Sequence, residues 1–161
     1  MDKETRLATK NKFIQGLTHE KRRHRIDIPM EDIDPIADIL TTTLELINQK
    51  IGFMDMITSF DFLGDVMLNQ CPELPPVSKE QRIPVAMLLM DQMPSLKGKL
   101  TEKEKEMYAF CIYYANCVQR FEKETNSFIS TMGDFISPEK IRSEYEYEKR
   151  TFPKHFEPLS K

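Results

Sequence analysis

Apolar residues recur at helical spacing along most of the chain, and the longest run joins Met107, Phe110, Cys111, Tyr114, Val118, Phe121, Phe128, Met132 and Phe135. This period predicts one long amphipathic helix over about 102–135. Its start is written in Thr101 and Glu104, a capping box in which hydroxyl and carboxylate each satisfy a backbone N–H at the helix end. At 1.5 Å per residue such an element is about 50 Å long, so other helices, a second copy or a partner must lie along it.

Shorter patterns precede it. Asp34 and Pro35 read as a cap followed by proline at the first helical position, and Ile36, Ile39, Leu40, Thr43, Ile47 and Ile51 then follow a 3.6-residue period. From Phe53 to Asn69 the apolar residues cover more than one face, which predicts a central core helix. The proline-rich stretch from Cys71 to Val77 is an extended connector, and residues 84 to 93 form a short buried helix. Ser137, Pro138 and Glu139 repeat the cap-then-proline device ahead of a polar helix running to about Lys149, followed by a tail carrying Phe152 and Phe156. Near the other end, Asp2 to Leu17 is a basic helix with a thin apolar side of Leu7, Ile14 and Leu17, expected to fray or to wait for a partner.

The fold expected is therefore all-α, an irregular bundle of four or five helices. It divides into a basic, partly helical arm (1–30), a helical core domain (31–136) and a polar C-terminal helix and tail (137–161). Composition agrees: 161 residues suit one domain, ten Phe and ten Met argue against disorder, and five Gly against ten Pro argue against a glycine-rich nucleotide-binding fold. With neither a signal-like leader nor a membrane-length apolar run, the chain reads as a soluble cytoplasmic protein without a membrane partner. Cys71, Cys111 and Cys117 form no Cys-x-x-Cys pair and read as reduced thiols.

Charge is unevenly spread. Residues 1 to 25 hold eight Lys or Arg against three acids, so that segment carries +5 and the remainder −8. Lys10, Lys12, Lys21, Arg22, Arg23 and Arg25 are the candidate nucleic-acid contacts, although the same cations can dock on the acidic body. Stacking aromatics are wanting beside the basic run, the closest being Phe13.

Candidate chemistries in the chain each have a simpler reading. Carboxylates at Asp27, Glu31, Asp32, Asp34 and Asp38, with Asp61 and Asp65 one turn apart, come nearest to a magnesium site of the kind found in helical nucleotide phosphohydrolases. Glu31 and Asp34 precede Pro35, however, and capping accounts for them. Arg150 and His155 have a spacing used by helical ribonucleases, but Pro153 interrupts the helix this needs. His19 and His24 read as surface residues. Neither a catalytic set, a metal site nor a cofactor is expected.

What remains is a non-enzymatic reading: an adaptor, assembly or regulatory factor that binds another protein, or a second copy of itself, through a Met- and Phe-rich helical surface. Met54, Phe60, Met87, Met90, Phe121 and Phe128 are the candidate contacts. The alternatives are a nucleic-acid-associated factor using the basic arm and, further off, a carboxylate-metal phosphohydrolase.

Overall fold

A computed structural model describes residues 1–118 and 137–159, with side chains given through Asn116 and again from Ser137. The fold is all-α, and the described residues contain no strand. In chain order the helices are α1 (Lys3–Arg22), α2 (Met30–Leu46), α3 (Phe53–Met67), α4 (Arg82–Met90), α5 (Glu102–Ile112) and α6 (Pro138–Thr151). Single 3-10 turns at Lys79–Gln81 and Pro153–Phe156 precede α4 and follow α6.

Several caps are those the sequence wrote. Thr101 Oγ1 accepts from the Glu104 N–H at 3.2 Å and Glu104 Oε1 accepts from the Thr101 N–H at 2.8 Å, completing the capping box of α5. Ser137 Oγ accepts from the Lys140 N–H at 3.1 Å ahead of Pro138, and α6 runs two residues beyond the expected end.

The start of α2 differs. It begins at Met30 after Pro29, so Pro35 lies inside the helix and Asp34 is not its cap. The apolar stripe explains the earlier start, because Ile33 is buried together with Ile36 and Ala37, and burying it requires the extra turn before Pro35. The helix also ends early, at Leu46. Asn48 and Gln49 have φ of 55° and 60°, and the Gln49 N–H reaches back to the Leu44 carbonyl at 3.0 Å. Asparagine tolerates this left-handed turn, which leaves Ile47 and Ile51 buried on either side of it.

Helix α1 does not fray. Phe13 is fully buried and stacks on Phe53 with ring centroids 3.9 Å apart, and Leu17 is 2% exposed. Gly16 permits this approach: a Cβ there would meet Ile57 Cδ1 at 2.7 Å. Leu7, by contrast, is 59% exposed and takes no part in the apolar side. The arm is thus joined to the same hydrophobic core as α2 and α3.

The central helix is also a different one. On α3, Met54 and Thr58 face outward, giving an ordinary one-sided helix. Every residue from Met107 to Asn116 is buried, so the end of α5 and the start of the π-helical turns Tyr113–Val118 that continue it are enclosed on all sides. Tyr108 anchors this element by donating to the Met56 carbonyl at 3.0 Å, with Ser59 Oγ 2.5 Å from its hydroxyl. The rest of the expected long helix, with Phe121 and Phe128, lies outside the described residues.

The segment expected as a free tail is docked. Phe156 packs against Phe110 and edge-on to Tyr145, at centroid distances of 6.4 and 5.7 Å. His155 is buried, stacks on Phe152 and places Nδ1 2.9 Å from Glu148 Oε1. Pro153 supplies the break that folds the chain back over α4.

A candidate protein-binding cleft

The return of the C-terminal segment creates an open cleft of about 840 Å³ between four elements. One wall is the face of α4 bearing Pro84, Met87 and Leu88, residues spaced so that they share one side of the helix. The C-terminal segment contributes Phe156, Pro158 and Leu159. Helix α5 contributes Glu102, Lys103, Lys105 and Glu106, and α6 contributes Tyr145 and Lys149 one turn apart. Leu88 is 50% exposed and Met87 half-buried, so the apolar wall is open to solvent.

The charges around this wall are satisfied by one another. Lys105 Nζ donates to Asp91 Oδ1 at 2.7 Å and also pairs with Glu102. Lys149 Nζ donates to Glu106 Oε1 at 2.7 Å, the same oxygen that accepts from the Tyr145 hydroxyl. The Lys149 ammonium further sits 5.8 Å from the Phe156 ring centre and 5.5 Å from that of Tyr145, a cation–π arrangement linking α6 to the C-terminal turn. Lys103 is exposed.

These contacts set the protonation states. Asp91, then Glu102, holds the Lys105 ammonium above its ordinary pKa, and Glu106 does the same for Lys149. Burial pushes the Tyr145 phenol up, with the Glu106 carboxylate adding to it. Both lysines therefore stay charged and the tyrosine neutral throughout the neutral range, which makes a fixed dipolar rim around an apolar floor.

The residues expected to form a protein-binding surface are only partly assembled here. Met87 lines the cleft. Phe60 and Met90 are 2% and 1% exposed, packed in the chain's own core, and present no surface to a partner. Met54 is exposed on α3 but is not among the cleft residues. Phe121 and Phe128 lie outside the described residues. Leu88, Tyr145, Phe156, Pro158 and Leu159 are the cleft residues that sequence patterns missed. The only signal in their favour was a pair of phenylalanines in an otherwise polar C-terminal stretch.

The basic candidates divide into two groups. Lys10 is docked: its ammonium lies 2.9 Å from Asp34 and 3.1 Å from Asp38, while Arg6 reaches Asp38, Glu45 and the Thr42 hydroxyl. Burial opposes the charge on Lys10, but the hydrogen bonds it donates to Asp34 and Asp38 outweigh it and raise the pKa. Lys12, Arg22 and Arg23 are exposed, Lys21 is half-buried, and Arg25 stands 3.6 Å from Glu20.

The acidic cluster is accounted for in part by these same pairs, since Asp34 and Asp38 hold cations of α1. Asp61 and Asp65 lie half-buried on α3. Among the described residues no three or more His, Cys, Asp or Glu side chains are grouped to hold a metal ion. Cys111 is buried, and desolvation pushes its thiol up to about 12, whereas Cys71 is only half-buried beside Glu73. No described helix is long and apolar enough to cross a membrane. In comparisons with known proteins, no family model, curated protein or solved structure matches the chain.

Proposed function

We propose that this protein is a non-enzymatic adaptor that seats an apolar segment of another protein in the cleft between α4, α5, α6 and the C-terminal turn. The observation that carries the reading is the half-exposed Leu88 beside Met87, lining one open cleft with Phe156 and Leu159. A large aliphatic side chain that is already half buried contributes about 1 kcal/mol, roughly half the gain of full burial, when a partner covers the rest. The thioether of Met87 adapts to the shape of what enters. Because Lys105 and Lys149 are already paired, a partner need not supply charges to match them, and apolar complementarity dominates.

The pKa shifts support binding over proton transfer. At the cleft, Lys105, Lys149 and Tyr145 all move away from neutrality. A general acid or base is useful when its pKa lies near the working pH. These groups hold a fixed pattern of charge instead.

A photo-crosslinking amino acid placed at Leu88, and separately at the exposed Leu7, tests the reading in the native cell. The expected result is a discrete adduct with another protein at Leu88 that forms equally well at high salt and is absent at Leu7. Equal labelling at both positions, or none at Leu88, contradicts it.

A further inference from the structure

Pairing within the protein separates the cations of α1 into two groups with different roles. Arg6 and Lys10 lie on the side of the helix that faces α2 and are held by Asp34, Asp38 and Glu45. Lys12, Gln15, His19 and Arg22 follow one another at intervals of three or four residues on the opposite, exposed side. Arg23 closes the helix beside them as its C-cap. Among the described residues, the side chains of Lys12, Arg22 and Arg23 have no hydrogen-bond or ion-pair partner.

The helix dipole explains why cations are tolerated at the end of α1, where His19, Lys21 and Arg22 occupy the last turn. It does not explain Lys12, about 15 Å away along the axis by helix rise. The neighbouring acid Glu20 is turned inward, buried and close to Arg25. We infer that the outward stripe formed by Lys12, Gln15, His19, Arg22 and Arg23 is a contact surface for the phosphate backbone of a nucleic-acid duplex. This surface is separate from the cleft and independent of it.

Three observations select that partner. Free ammonium and guanidinium groups interleaved with the hydrogen-bonding side chains of Gln15 and His19 complement a row of phosphates, and the span of about 15 Å from Lys12 to Arg22 matches the axial rise of about four or five nucleotides of one strand. Phe13, the aromatic residue nearest in sequence, is fully buried against Phe53 and cannot stack on an unpaired base, which favours duplex over single strand. An anionic membrane is disfavoured because Lys12, Gln15, His19, Arg22 and Arg23 supply no large apolar side chain to enter the acyl boundary. The exposed acids Asp27 and Glu31 follow the turn and temper the positive field, so the affinity belongs in the weak, sequence-independent range.

The test is fluorescence anisotropy of the full chain with a labelled duplex of arbitrary sequence, titrated over a series of salt concentrations. Binding should weaken steeply with salt, and to the same degree for unrelated sequences. The double substitution Arg22→Ala with Arg23→Ala should lower the magnitude of the log–log salt slope by about 2, and Lys12→Ala by about 1. Lys103→Ala, which removes an exposed cation at the cleft, should leave the slope unchanged. All these positions are exposed, so melting temperatures should stay at that of the parent. Absence of duplex binding at low salt, a slope unmoved by the Arg22 and Arg23 substitutions, or preference for phosphatidylserine vesicles over duplex would overturn the inference.

Discussion

Thr101 and Glu104 do more than start a helix, because the Glu104 carboxylate that completes the capping box also accepts from Lys50 at 2.9 Å. One side chain thus joins the beginning of α5 to the loop that follows α2. Thr101→Ala removes the acceptor for the Glu104 N–H and should cost about 1 kcal/mol in denaturant unfolding at neutral pH. Lys50 first, and then the Thr101 backbone N–H, hold the Glu104 carboxyl below its ordinary value of 4.5. A depressed carboxyl contributes its stabilisation above the unfolded pKa and loses it as pH falls through the lower folded value. Glu104→Gln should accordingly flatten the acid limb of the stability curve below about pH 4.5, and an unchanged limb would mean the Lys50 contact is not maintained in solution. This cap could be read directly in the sequence, since both partners lie within four residues. The Lys50 contact could not, because it spans 54 residues.

Among the elements, α1 shows how a few residues outweigh a weak pattern. Leu7, Ile14 and Leu17 suggest a side too thin to hold a helix, yet Phe13 against Phe53 and the close approach allowed by Gly16 dock it firmly. The ion pairs of Arg6 and Lys10 then fix its register on α2. Phe13→Ala should destabilise the fold by about 3–5 kcal/mol, as for other buried aromatic truncations, with loss of helical signal in circular dichroism on further warming. A cost below about 1 kcal/mol would show that α1 is not part of the cooperative unit. Pro35 teaches the converse lesson. Asp-Pro is a strong local start signal, but burial of Ile33 overrides it and carries α2 back to Met30. Local chemistry sets helix ends well where both partners are near neighbours, and tertiary packing decides where an apolar stripe continues past the signal.

The molecule as a whole is organised around the buried end of α5, which α2, α3, α4 and α6 surround, and the cleft is a consequence of how α6 and the C-terminal turn come back over it. Helix type and approximate position were legible along the chain because periodicity is local. The cleft was not, because Leu88 and Phe156 come to line one cleft only after α6 returns, and neither carries a motif. Met87 was legible as a soft surface residue, whereas Phe60 and Met90 answer to the same criterion and are consumed by the core. The central claim is that apolar burial in this cleft holds a partner protein. Its most direct test is the dissociation constant of the partner cross-linked at Leu88, measured for the intact protein and for Leu88→Asp, with melting temperatures recorded alongside. Leu88 is half exposed, so the variant should melt with the parent protein while its affinity falls at least about tenfold, because a desolvated carboxylate replaces a buried isobutyl group. Equal affinity of the two proteins would contradict the account.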